Sequence, residues 1–85
     1  MEDIRKLRKR IDEVDEQILH SLSERTKICA EIGLMKKEQG LPIKDGSREK
    51  ELFLKVKKRA AEMDLNIAQV EAVYRKIVAM CTSVQ

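Results

Sequence analysis

Residues 4–38 read IRKLRKRIDEVDEQILHSLSERTKICAEIGLMKKE. The stretch contains no proline, and its single glycine, Gly33, costs ~1 kcal/mol relative to alanine in a helix interior, which makes it a close-packing point rather than a break. Ile4, Leu7, Ile11, Val14, Ile18, Leu22, Ile28, Ile32 and Met35 recur at spacings of three, four, six and seven. That periodicity predicts one amphipathic helix from Ile4 to about Glu38, stopped by Gly-Leu-Pro at 40–42. At 1.5 Å per residue such a helix is ~52 Å long. A compact chain of this size has a radius of gyration of only ~12 Å and a diameter of roughly 30 Å. The helix cannot be enclosed by its own monomer, so its apolar stripe calls for a second chain, most simply in a symmetric dimer.

The remainder predicts two more helices. One starts near Ser47, turns Leu52, Phe53, Val56 and Ala60 inward, and stops around residues 63–65. Asn66 followed by Gln69 has the spacing of an N-cap and its reciprocal partner, opening a third helix that buries Ile67, Val70, Val73, Tyr74, Ile77, Val78 and Cys81. The expected fold is all-α, a single domain over residues 1–85. A chain of 85 residues, with 42% hydrophobic and 39% charged residues and no tryptophan, has the make-up of a helical bundle rather than a sheet protein.

Cys29 and Cys81 lie far apart in sequence and within apolar helical patterns, so buried reduced thiols and a cytoplasmic setting are expected. No apolar run approaches membrane-spanning length, and MEDIRKLRKR at the N-terminus is not followed by the hydrophobic segment of a targeting signal. The formal charge of +3 admits an anionic partner without choosing one.

Two cations stand where apolar residues belong. Counting sevens from Ile4 through Ile11 and Ile18 reaches Arg25 and then Ile32, and Lys36 follows Arg25 by eleven residues, almost in line and ~16 Å along the axis. Taken singly, an interhelix ion pair or a stem snorkelling to water accounts for each. Taken together, they place two long cationic side chains on one inward stripe, where they can converge on an anion. Arg8 borders the same seam. His20, the single histidine, is expected on the exposed face, and no cluster of metal-ligating residues or nucleophilic triad is apparent.

LRKRIDEVDEQIL, the Glu-Arg of SERTKICAEIG, Lys36 and LPIKDGSREKEL together resemble the all-helical class of chorismate mutase, over essentially the whole chain. The ordered set Arg8, Arg25, Lys36, Asp45, Arg48, Glu49 carries that resemblance. It implies an intertwined homodimer of three-helix chains, a six-helix bundle with two sites, each built mainly from one chain and completed by Arg8 of the other. It also implies the Claisen rearrangement of chorismate to prephenate in phenylalanine and tyrosine biosynthesis, with no metal and no cofactor. In that class Arg8 and Arg25 grip the substrate carboxylates, Lys36 and Gln85 donate to the ether oxygen, Glu49 and the backbone near Asp45 hold the hydroxyl, and Arg48 supports the site. Cys81 belongs to the substrate-binding set but stands where the family usually carries Ser or Asn. In LPIKDGSREKEL, Pro42 and Gly46 are expected to turn the chain so that the second helix starts beside Lys36.

Two other functions compete. Related helical proteins release pyruvate from isochorismate, and the residues separate the two activities poorly. A basic helical dimer that binds nucleic acid would suit IRKLRKR, but acidic residues come immediately after it and Arg25 and Lys36 face inward, so no nucleic-acid or membrane partner is expected.

Overall fold

A computed structural model describes residues 3–85; Met1 and Glu2 of the expected 1–85 domain lie outside the described residues. Three α-helices make up the chain: α1 (Ile4–Gln39), α2 (Gly46–Glu62) and α3 (Ile67–Ser83). Each begins at a side-chain cap three residues from its partner amide. Asp3 accepts from Lys6 N–H at 3.0 Å, Asp45 from Arg48 N–H at 3.1 Å, and Asn66 from Gln69 N–H at 2.9 Å. These carboxylates and the amide satisfy donors that a helix start leaves without partners.

The end of α1 turns the chain back on itself. Gly40 adopts φ 68°, its N–H bonds to the carbonyls of Lys36 and Lys37, and Leu41 N–H returns to Lys36 O at 2.8 Å. This is a Schellman reversal, in which the left-handed residue is one that glycine occupies without steric cost. Gly46 plays no such part: Gly40 is the positive-φ glycine among the described residues, and Gly46 is the first residue of α2. The turning role expected of Gly46 therefore falls to Gly40, because the Schellman bonds require the left-handed residue directly after the last helical turn.

Helix α2 ends at Glu62 with Met63 as its C-cap, and Asp64 makes the next reversal at φ 57°, a conformation that a short polar side chain tolerates. Leu65 N–H closes back to Ala60 O at 2.9 Å. The short link folds α3 along α2, and α3 also packs against the C-terminal half of α1, making it the central element. Across the α2–α3 face Lys57 reaches Glu71 at 3.1 Å, and Arg75, one turn on from Glu71 along α3 and 2.7 Å from it, lies 5.2 Å from the centroid of Phe53.

The interior is thin. Cys29, Gly33 and Ala60 are buried, while Leu52, Phe53, Val56, Val70, Tyr74, Ile77 and Val78 are half-buried. Val73, expected inward, is 57% exposed, and Ile67 is exposed as well. Val73 lies at the edge of the stripe formed by Val70, Tyr74, Ile77 and Cys81, on a side that no helix of the same chain covers. From Ile4 to His20 every residue of α1 is exposed, including Ile4 at 65%, Ile11 at 58% and Ile18 at 50%. The radius of gyration of 16.2 Å and the extents of 58 × 24 × 15 Å reflect this projecting rod.

The cysteines differ from expectation. Cys29 and Cys81 form a disulfide, with Cα atoms 5.3 Å apart across 52 residues of sequence. Distance along the chain was no guide, because both residues sit on the stripes through which α1 and α3 face one another. The thiol-based argument for a cytoplasmic setting falls with the free thiols. Among the described residues, no helix is long and apolar enough to cross a membrane.

Candidate active site

The inward stripe of α1 presents Arg25, Cys29, Ile32 and Lys36 at successive turns, and α3 meets it with Val78, then Cys81 and Thr82 a turn later, then Gln85 just past the helix end. The first turns of α2 close the third side with Asp45, Arg48, Glu49 and Leu52. Between them lies a cavity of about 400 Å³, within the range that encloses a small metabolite. Apolar side chains form its floor, and its polar groups come from all three helices.

Lys36 is the hub. Its ammonium donates to the carbonyl of Ile43, which the Gly40 reversal brings back over the helix end, and to Gln85 Oε1 at 3.0 Å. Those bonds use two of the three N–H groups of an ammonium and leave one for a ligand. Gln85 Nε2 donates to Cys81 Sγ at 3.3 Å, so its carboxamide is held at both ends while one amide N–H remains to donate. Arg25 is half-buried, with Nη1 3.9 Å from Cys29 Sγ. The side chain that breaks the isoleucine series is thus in the cavity, whereas Ile4, Ile11 and Ile18 stand in the open.

Seven of the eight residues expected from the sequence line this cavity: Arg25, Lys36, Asp45, Arg48, Glu49, Cys81 and Gln85. They differ in what is left for a ligand. The Asp45 carboxylate caps α2, and Arg48 is exposed with Nη1 3.3 Å from Glu51 Oε1. Glu49 is half-buried one turn into α2, where the helix dipole favours a negative charge. Cys81 is a disulfide sulfur and has no proton to donate. Arg8 is exposed on the projecting half of α1 and does not line the cavity. His20 is exposed, 3.8 Å from Glu16. Among the described residues, no group of three or more His, Cys, Asp or Glu side chains is placed to hold a metal ion.

Three residues were not assigned to the site from the sequence. Cys29 lies one turn after Arg25, so the cationic stripe itself pointed to it. Lys44 joins the rim, adjacent to the recognised Asp45. Gly33 packs against the C-terminal residue: a Cβ built on it would lie 2.8 Å from Gln85 Cα. Its role as a close-packing point was legible, but not what it packs against.

Comparison with known proteins reaches the same family as the motifs. Residues 7–85 match the model of the family "Chorismate mutase type II". The chain is 39% identical over its whole length to the bifunctional chorismate mutase/prephenate dehydratase of Aquifex aeolicus, of which it spans 24%. It is 32% identical over 78% of its length to the chorismate mutase of Methanocaldococcus jannaschii, of which it spans 67%. Among solved structures, a conserved hypothetical protein from Pyrococcus furiosus superposes with a TM-score of 0.74 at 37% identity, covering 95% of this chain and 92% of the other. With the family match spanning all three helices and the cavity they enclose, the chain belongs to the type II chorismate mutases.

Proposed function

We propose that the chain rearranges chorismate to prephenate, working as a homodimer in which each site is completed from the neighbouring subunit. The observation that carries this reading is the meeting of Arg25, Lys36, Glu49 and Gln85 around one small cavity in a chain of this family.

The chemistry suits those groups. In the rearrangement an ether C–O bond breaks as a C–C bond forms within one molecule, and partial negative charge develops on the ether oxygen. The substrate is a dianion whose enolpyruvyl arm must be folded over its ring. Arg25 is suited to take a carboxylate through its two-pronged guanidinium, orienting the reactive conformer. The remaining N–H of Lys36 and that of Gln85 are adjacent donors, already fixed by their bonds to Ile43 and Cys81, for the oxygen on which charge develops. Glu49 is an acceptor for the substrate hydroxyl near the start of α2, and Arg48 supports that corner. The reaction requires no nucleophile and no redox partner.

One carboxylate still lacks a partner, and Arg8 is suited to supply it from a second chain. On a straight helix Arg8 lies seventeen residues, or ~25 Å, from Arg25, too far to share a small ligand with it. If two copies of α1 pair antiparallel about a dyad near Ile18, Arg8 of one chain comes level with residue 28 of the other. The same pairing covers the exposed stripe of Ile4, Leu7, Ile11, Val14 and Ile18.

The direct test is incubation with chorismate and, separately, isochorismate, with and without EDTA. Prephenate formed equally in both buffers is expected. No turnover of chorismate, or pyruvate released from isochorismate as the dominant product, would overturn the reading.

A further inference from the structure

The disulfide does more than join two helices. Cys81 Sγ accepts from Gln85 Nε2, Gln85 Oε1 accepts from Lys36 Nζ, and Cys29 Sγ lies against the guanidinium of Arg25. The two sulfurs therefore stand between the cations of the site and touch a side chain on either side. Gln85 lies just past the last helical residues of α3, where the final turn of a helix frays unless it is tied down. Cys81, one turn earlier, is the covalent tie nearest to it.

We propose that the Cys29–Cys81 disulfide is a redox-sensitive positioning element of the active site: closed, it holds the last turn of α3 on α1 with Gln85 against Lys36, and opening by a dithiol reductant lowers turnover. The inference rests on the reading of Lys36 and Gln85 as donors to the reacting oxygen.

Opening proceeds by thiol–disulfide exchange. Both cysteines line the cavity, but Cys29 is buried and Cys81 only half-buried, so the reductant thiolate attacks the more accessible Cys81 Sγ. The S–S bond breaks and Cys29 leaves as a thiolate, beside a guanidinium that stabilises a leaving anion. The second thiol of the reductant then attacks its own sulfur in the mixed disulfide and frees Cys81. The dithiol becomes a disulfide, and its two electrons and two protons end on Cys29 and Cys81. Two consequences act together at the site. The end of α3 loses its covalent tie, and the freed Cys29 sulfur, when ionised, competes with a substrate carboxylate for Arg25.

The test compares the oxidised full chain with the same protein reduced by excess dithiothreitol, thiols being titrated before assay. Reduction is expected to lower kcat several-fold, with a smaller rise in KM, and reoxidation to restore both. Cys29→Ala should show the lowered kcat from the start and no response to reductant. Hydrogen exchange at residues 82–85 should speed up on reduction while helical content by circular dichroism stays constant. Equal kcat in the two redox states with both thiols titrated would overturn the proposal, as would a Cys29→Ala chain that still responds. A loss of activity matched by a loss of helix would reduce the bond to a general staple and equally overturn it. Failure of the catalytic reading looks different: neither redox state turns over chorismate, and exchange at 82–85 then decides alone whether the bond positions Gln85.

Discussion

The Cα of Gln85 lies where a side chain on Gly33 would have to go: a Cβ built there would approach it to 2.8 Å, and the Cβ of Gln85 to 3.0 Å. Such a contact is too short to keep, and the partner is backbone, so one of the two must move. Gln85 lies past the last residue of α3, whereas Gly33 is inside α1, so Gln85 is the freer of the two.

Gly33→Ala should therefore separate stability from activity. In a helix interior alanine is favoured over glycine by roughly 0.5–1 kcal/mol, which offsets the side-chain bonds to Lys36 and Cys81 lost when Gln85 swings aside, so the melting temperature should stay close to the parent's. The displaced carboxamide no longer meets Lys36. A misplacement of ~1 Å costs on the order of a hundredfold in rate, and kcat should fall by about ten- to a hundredfold. Melting curves and steady-state kinetics on one preparation check both halves; an unchanged kcat would remove Gln85 from the reaction.

Gln85→Glu tests the same position by charge. A carboxamide donates to the ether oxygen, whereas an ionised carboxylate only accepts. Loss of such a donor is worth roughly a hundred- to a thousandfold in kcat at neutral pH. The variant should recover relative to the parent as the pH falls and the carboxylate takes up a proton. The ratio of the two pH–rate profiles is the measurement, and a flat ratio contradicts the assignment.

Arg8 and Arg25 should complement one another between chains. In the proposed dimer, Arg8→Ala and Arg25→Ala homodimers would each lack one arginine at every site and should be nearly inactive. In a mixed dimer one site collects both defects and the other receives both arginines intact. After random exchange half the dimers are mixed, so about a quarter of parental activity should return. Refolding the two variants together and assaying the mixture measures this. No recovery despite confirmed exchange would place Arg8 outside the partner's site.

Glu71 links α3 to α2, and its carboxyl is held below its ordinary value first by the hydrogen bond from Lys57 and then by that from Arg75. A depressed carboxylate stabilises the fold at pH values above the unfolded group's pKa and ceases to do so as the pH falls through the folded value. Glu71→Gln should thus be less stable than the parent near neutrality, and the gap should close on acidification below the ordinary carboxylate range. Chemical denaturation at several pH values reads the difference directly.

The parts legible in the sequence were those set by local chemistry. The start of α1 at Ile4, its end within a residue of Glu38, and the Asn66 cap arise from periodicity and from side chains that satisfy amides three residues away. Arg25 and Lys36 were visible because each breaks an apolar series. What escaped depended on how helices face one another. The pairing of Cys29 with Cys81, the contact between Gly33 and Gln85, and the exposure of Val73 are set by the register of α3 on α1, for which the apolar stripe of one helix carries no coordinate. The turn went to Gly40 rather than Gly46 because glycine content marks a loop without saying which residue takes the left-handed conformation.

The 52-residue span between the two cysteines also changes the mechanics of the molecule. Oxidised, the chain is a covalent loop holding the end of α1, all of α2 and most of α3, with residues 3–28 trailing from it as a rod. The loop contains Lys36, Asp45 and Glu49, while the rod contains Arg8 and the exposed isoleucines. A pull on the rod, or its cleavage by trypsin at one of its many basic residues, leaves the loop closed; a reductant opens the loop without severing the rod. Two kinds of insult thus reach the cavity by separate mechanical routes, one through the rod that carries Arg25 and the other through the seat of Gln85.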